Sequence, residues 1–317
     1  MHQRILGVSQ LKVGAMGYGC MGLSWAYGSS EDENSAIQVI HRAIELGSTL
    51  IDTADVYGPF TNEELVGKAL KGKRDQVTLA TKCGLLVTNK APIQMSRNGH
   101  PDYVRSACEA SLRRLQTDVI DLYQLHRIDP EVPVEDTIGA MADLVQAGKV
   151  RHIGMSEVDV PTLERARKIH PITSLQSEMS LWTRDVMAEI LPYCKAHEIA
   201  FIPFSPLGRG YLTGRISTEQ TYENTDFRAG LPRFTPEALE KNQVILDGIE
   251  AVAQKYNATK GQIALAWVLA QGDQIVPIPG TKRLSYLEEN IAATEIELSA
   301  EDLATLDQLP EPFGGRY

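Results

Sequence analysis

The sequence predicts an α/β fold: a single (β/α)8 TIM barrel with extra helices and a long loop after the seventh strand. Short apolar runs, each bounded by turn residues, alternate with longer amphipathic stretches along the whole chain, which is the pattern of βα units on a parallel sheet. The runs number eight, and a length of 317 residues suits one closed barrel better than an open doubly wound sheet. No Pro/Gly/Ser-rich linker divides the chain, so residues 1–317 read as one domain.

The strand runs are 13–16, 50–51, 77–81, 119–125, 152–155, 174–175, 200–203 and 275–278. Each is short, rich in β-forming residues and bounded by turn residues, as expected for strands buried on both faces. Helical spacing fills the intervals. Residues 33–46 place Ile37, Ile40, His41 and Ile44 on one face, and Gly47 follows as a stop. Further helices are expected at 62–70, 102–115, 134–147, 161–169, 184–197 and 284–293. Two stretches, 236–256 and 259–271, both lie between the seventh and eighth strands, so one is an added helix; 299–308 is another. Residues 208–235 have no periodicity but contain Gly210, Gly214, Gly230 and several charges. They read as a loop over the active face.

Composition narrows the function classes. Hydrophobic residues are 43% and charged residues 23%, ordinary values for a folded chain with a large core. With 31 Lys+Arg against 41 Asp+Glu the net charge is −10, which argues against binding a nucleic-acid backbone. Cys20, Cys83, Cys108 and Cys194 are far apart and form no C-x-x-C pair, so reduced thiols in a cytoplasmic protein are expected. No leader-like apolar stretch opens the sequence, and no run approaches the roughly 20 residues of a membrane helix. The sequon Asn257-Ala258-Thr259 is then accidental.

Chemistry is concentrated where the apolar runs end. Asp52, Lys82, His126, Ser156, Gln176 and Ser205 each follow such a run. Taken singly, each is an ordinary strand-end residue. In a barrel, however, the carboxyl ends of all strands share one face, so these six converge. Tyr57 lies five residues past Asp52. A phenol is a poor acid near neutrality, but a neighbouring ammonium stabilises phenolate. Lys82 is placed to be that ammonium and Asp52 its counter-ion, with His126 orienting a substrate oxygen. Together they form a proton relay to a carbonyl oxygen, useful where a hydride reaches the carbon.

These stretches resemble the aldo-keto reductase family. The resemblance rests on Ile51-Asp52-Thr53-Ala54-Asp55-Val56-Tyr57-Gly58, Ala80-Thr81-Lys82, Asp121-Leu122-Tyr123-Gln124-Leu125-His126, Ile153-Gly154-Met155-Ser156 and Phe204-Ser205-Pro206-Leu207-Gly208, and it runs from about Leu6 to Leu309. Three further stretches look most like the microbial and plant branch that includes perakine reductase: Gly19-Cys20-Met21-Gly22-Leu23-Ser24, His126-Arg127-Ile128-Asp129 and Ser180-Leu181-Trp182-Thr183-Arg184. The family implies NADPH-dependent reduction of aldehydes or ketones, with Tyr57 as general acid, Lys82 and Asp52 tuning it, and His126 placing the carbonyl. No metal is implied.

Gly17-Tyr18-Gly19-Cys20-Met21-Gly22 matches G-x-G-x-x-G. A dinucleotide fingerprint needs a helix directly after it, and the next helical pattern begins near Glu33. That reading is rejected; the glycines are expected to let the loop pass close to the ligand, and the family resemblance implies that Met21 is the contact. By resemblance, Ser156 and Gln176 would hold the carboxamide and Phe204 would stack on the nicotinamide. Ser205, Leu207 and Gly208 would follow the pyrophosphate. Gly280, Thr281, Lys282, Arg283, Tyr286, Glu289 and Asn290 would hold the adenine end. Adjacent Lys282 and Arg283 suit a 2′-phosphate at a helix start, which favours NADPH over NADH.

The sequence also departs from the family pattern. Glu157 stands where many relatives have Asn, Met179 where branches have Tyr, and no Lys occupies the Gly280 position. The stretch after Leu309 is short, which suggests an open site and a broad range of aldehydes. Trp25, Tyr27 and Trp182 are candidate pocket walls. Two other readings are a redox-sensing NADPH-binding protein like the potassium-channel β subunits and a metal-dependent barrel enzyme. The first lacks a dedicated docking segment. The second lacks a carboxylate shell, because Lys82 falls between Asp52 and His126.

Overall fold

The computed structural model describes residues 1–28, 30, 32–90 and 93–317. The chain opens on an antiparallel hairpin, β1 Gln3–Leu6 and β2 Leu11–Gly14. The barrel then begins at β3 Tyr18–Gly19 and continues through α1 Glu33–Glu45, β4 Leu50–Asp52, α2 Thr61–Ala69 and β5 Thr78–Cys83. A second hairpin follows, β6 Leu85–Lys90 with β7 Ile93–Arg97. The βα alternation resumes with α3 Pro101–Leu115, β8 Ile120–Leu125, α4 Val134–Gln146, β9 Val150–Ser156, α5 Val160–Ile169, β10 Ile172–Glu178, α6 Ile190–Ala196 and β11 Ala200–Phe204. Five helices complete the chain: α7 Pro236–Lys241, α8 Gln243–Tyr256, α9 Lys260–Leu269, α10 Leu284–Ala292 and α11 Ala300–Asp307.

Seven strands form one parallel sheet in the order β11-β10-β9-β8-β5-β4-β3. Residues 275–279 close it. Val276 N donates to Phe201 O at 2.9 Å and Ile278 N to Pro203 O at 3.0 Å, while Pro277 O accepts from Gly17 N at 2.9 Å. Pro277 and Pro279 have no N–H to give, and they sit where the ladder needs only their carbonyls. This closing segment is narrow enough to dictate residue size: a Cβ on Gly19 would lie 2.7 Å from Ile278 O, and one on Gly280 2.6 Å from Gly19 O. Gly19 is therefore required by strand closure, and it also lines the cleft described below.

The structure corrects several element boundaries. Residues 13–16 do not form the first barrel strand. Val13 belongs to the opening hairpin, which plugs the amino end of the barrel, where Leu6 and Val13 pack with Leu50, Ala80, Leu122, Ala200, Ile202 and Val276. Arg4 fixes the plug by donating to the carbonyls of Leu269 (2.9 Å), Gly272 (3.1 Å) and Ile275. The expected helix 184–197 divides into a 3-10 turn, Asp185–Met187, and α6. The expected 236–256 breaks at Asn242 into α7 and α8. The long loop contains 3-10 turns at Gly208–Thr213, Phe227–Gly230 and Pro232–Phe234. Among the described residues, no helix is long and apolar enough to cross a membrane.

Candidate active site

A cleft of about 790 Å³ opens at the carboxyl ends of the strands, within the size range of ligand sites. Its reacting end is built by the β4 loop. Thr53 N donates to Ala80 O and Asp55 N to Lys82 O, so the chain leaving β4 is fastened to β5. Tyr57 N then bonds Ala54 O at 3.2 Å and turns the phenol inward. Asn62, fully buried on α2, accepts from Thr53 Oγ1 at 2.6 Å and donates to Cys20 O at 3.0 Å and Ser24 Oγ at 2.7 Å. It thereby ties the β3 loop to the β4 loop.

Lys82 is fully buried, and its ammonium has three acceptors: Asp52 Oδ2 at 2.7 Å, Thr53 O at 2.7 Å and Tyr57 Oη at 3.4 Å. Those match its three N–H bonds. Asp52 Oδ1 accepts from Gln176 Nε2 at 2.9 Å and Gln124 Nε2 at 3.4 Å. The His126 ring stands edge-on to the Tyr57 ring at 5.8 Å, and the Trp25 ring lies tilted to the Tyr57 ring at 5.7 Å.

Burial is the largest influence on these titrations. It works against the Lys82 ammonium, yet Asp52 and Tyr57 together hold the amine above its usual range. Burial raises the Tyr57 phenol, and Lys82, the next largest influence, pulls it only part of the way back. Lys82 was expected to bring the phenol below its usual range; the net shift is the other way, so Tyr57 is a neutral O–H donor. Burial, then Lys82 and Arg127, push His126 well below the ordinary histidine range. Its imidazole is neutral, and its buried Nδ1 has no hydrogen-bond partner among the described residues.

Most of the expected site residues meet here. Asp52, Tyr57, His126, Met21, Ser156, Gln176, Phe204, Ser205, Leu207, Gly280, Thr281, Lys282, Arg283, Tyr286, Asn290, Trp25 and Tyr27 all line the cleft, and Lys82 lies behind Asp52 and Tyr57. Three further expected residues do not line it. Trp182 is buried in the core, stacked on Tyr211 at 4.3 Å and edge-on to Phe234 at 5.4 Å. Gly208 is packed beneath Trp182, 2.8 Å from ring to ideal Cβ. Glu289 is paired with Arg215 at 2.7 Å and accepts from Thr259 Oγ1 at 3.0 Å.

Other wall residues were missed. Leu85 and Met95 come from the β6–β7 hairpin, and Arg215, Phe227 and Arg228 from the long loop. Arg215 lies over the Tyr286 ring at 4.1 Å, with Arg283 at 5.3 Å from the same ring. Arg127 also faces the cleft, beside His126. The departures have structural roles as well. Glu157 has a positive φ of 52°; its carboxylate accepts from Glu178 N at 2.9 Å and is ion-paired to Arg316. Residues 310–317 thus fold back, and Tyr317 reaches the cleft rim.

Comparison with known proteins agrees with this architecture. The model of the aldo/keto reductase family matches residues 15–311, so the chain belongs to that family. It is 46% identical over 316 residues to "Probable aldo-keto reductase 1" of Glycine max, covering 98% of this chain and 90% of that one. Among solved structures, the glycerol dehydrogenase AKR11B4 from Gluconobacter oxydans superposes with a TM-score of 0.89 at 29% identity, covering 97% of this chain and 94% of that one. An aldo/keto reductase from Klebsiella pneumoniae, solved with NADP and acetate, has a TM-score of 0.74 at 29% identity, covering 100% and 99%.

Proposed function

We propose that the protein reduces aldehydes and ketones to alcohols with NADPH, with Tyr57 donating the proton. The observation that carries this reading is the buried chain Asp52–Lys82–Tyr57 at the head of the cleft, with neutral His126 alongside.

The donors and acceptors along the cleft suit that cofactor. At the reacting end, Gln176 Nε2 is committed to Asp52, which leaves its amide oxygen to accept from a carboxamide N–H. Ser156 Oγ accepts from Arg127 at 3.1 Å, which leaves its proton to donate to a carboxamide oxygen. At the far end, Arg215 and Arg283 flank Tyr286, with Lys282 adjacent; paired guanidinium groups and an aromatic face suit a 2′-phosphate beside an adenine. Lys282 also donates to Tyr27 O at 3.1 Å, so it couples the β3 loop to this end. The Klebsiella pneumoniae relative bears NADP. When bound, the cofactor supplies a hydride.

The chain's own residues manage the oxygen. Tyr57 keeps its proton until negative charge develops on the substrate oxygen. As the proton leaves, the phenolate that forms already lies 3.4 Å from the Lys82 ammonium. Lys82 is itself held in place by Asp52 and Thr53 O, so little reorganisation is needed during reaction. Neutral His126 supplies a directional hydrogen bond and no charge.

Tyr57→Phe tests the reading. Aldehyde reduction is expected to fall by at least about 10²–10⁴-fold, while NADPH binding, followed by quenching of Trp fluorescence, stays close to wild type. Turnover retained in this variant would overturn the assignment.

A further inference from the structure

Arg127 follows His126 directly and lies half-buried in the cleft wall. One nitrogen, Nη1, makes its contacts with the protein: the His126 carbonyl at 2.6 Å and Ser156 Oγ at 3.1 Å. Among the described residues, Nε and Nη2 make no hydrogen bond, and no carboxylate lies within ion-pair distance. Of the other cleft arginines, Arg283 at the far end also has no carboxylate partner among the described residues, whereas the remaining three do. Arg209 is paired with Glu178, Arg228 with Asp226 and Arg215 with Glu289. Arg127 is therefore a cation at the reacting end whose charge the protein leaves uncompensated. Its field reaches both His126 and Tyr57. A guanidinium presents its donors in a rigid fork that fits a carboxylate, and two of those donor nitrogens are unused here.

We propose that Arg127 selects substrates that carry a carboxylate a few bonds from the carbonyl carbon. This rests on the carbonyl-reductase reading above and names its substrate class. The carbonyl oxygen lies between Tyr57 and His126, and the carboxylate turns toward Nε and Nη2 of Arg127. The carboxylate is unchanged by the reaction. The carbonyl carbon gains a hydride from the dihydronicotinamide dinucleotide, which is oxidised to the nicotinamidium form; the C=O π pair moves to oxygen, and oxygen takes the Tyr57 proton. The product is a hydroxy acid.

The test compares 4-oxobutanoate with its methyl ester, using NADPH, in wild type, Arg127→Met and Arg127→Lys. Two methylenes insulate the aldehyde electronically from the acid group, so the pair differs in charge and not in carbonyl reactivity. Wild type is expected to favour the acid in kcat/KM by about tenfold or more, the size of a hydrogen bond to a charged group, mainly through KM. Arg127→Met should bring the ratio to one or below, and Arg127→Lys should retain part of it. Because the ratio is internal to each variant, any general loss caused by loosening Ser156 cancels. A wild-type ratio of one or less, or an unchanged ratio in Arg127→Met, overturns the proposal and leaves the reductase reading intact. If NADPH binds but neither compound is reduced, the reductase reading itself fails, and this proposal with it.

Discussion

Asp55 illustrates how far one buried carboxyl is set by its surroundings. It lies three residues past Asp52 and is 3% exposed. Burial first, and Glu63 second, push its carboxyl up to about 8 from an ordinary value of 3.8. Between those values the folded chain holds a proton that the unfolded chain has released. Stability from this group is therefore complete below about pH 4 and falls as pH rises toward 8. Asp55→Asn removes the dependence. The variant's Tm relative to wild type is expected to climb by a few degrees between pH 5 and pH 8.5 and to level off above that, as scanning calorimetry would record. A constant difference across that range would mean that Asp55 is charged in the fold. At this scale the sequence was most readable where titratable residues recurred at equivalent places. A single lysine or aspartate at a strand end is ordinary, but Asp52, Lys82 and His126 all end runs that share one barrel face, with Tyr57 five residues past Asp52, and as a set they stood out. Arg127 did not, because an arginine after a strand end reads equally as a solvated charge, and only the cleft geometry distinguishes the two. Trp182 failed for the opposite reason: a tryptophan is equally suited to a wall and to a core, and here Tyr211 and Phe234 claim it.

At the scale of elements, the strands buried on both faces were legible because helices force a continuous apolar run. The first strand was misplaced because β3 has only two residues, Tyr18 and Gly19, while the hairpin strand ahead of it carries the stronger apolar signal. The β6–β7 hairpin was missed altogether. Its residues Leu86 and Met95 are exposed, and a two-stranded ribbon outside the barrel leaves little alternation to read. Yet it matters to the site: Leu85 and Val87 pack with Trp25 and Met21 around Tyr57. Leu85→Ala is therefore expected to raise KM for bulky aromatic aldehydes by about tenfold, the loss of most of one leucine's apolar contact, while KM for propanal changes by less than twofold. Its Tm should stay within a few degrees of wild type, since the hairpin pairs with no barrel strand. An equal rise in KM for both aldehydes would show that Leu85 supports Tyr57 instead of touching substrate.

Over the whole molecule, charge is segregated. The chain has a net charge of −10, yet the cleft is lined by Arg127, Arg209, Arg215, Arg228, Lys282 and Arg283 against Asp52 as its one carboxylate among the lining residues. Arg209, Arg215 and Arg228 have acidic partners, so the uncompensated field comes mainly from Arg127 at the reacting end and Arg283 at the far end. A cleft of one sign within a surface of the other focuses the field on its mouth and speeds capture of an anionic ligand. Salt screens such steering over about 10 Å at 0.1 M ionic strength. The association rate of NADPH, measured by stopped-flow fluorescence, should therefore fall severalfold between 10 mM and 300 mM salt, and that of NADH, with two fewer charges, should fall less. Arg283→Ala should raise the Kd for NADPH by about tenfold or more, as expected for losing a charge-assisted hydrogen bond, and leave NADH within twofold. If both cofactors respond alike to salt and to the substitution, the far end of the cleft does not read the 2′-phosphate, and the choice between them is made elsewhere in the molecule.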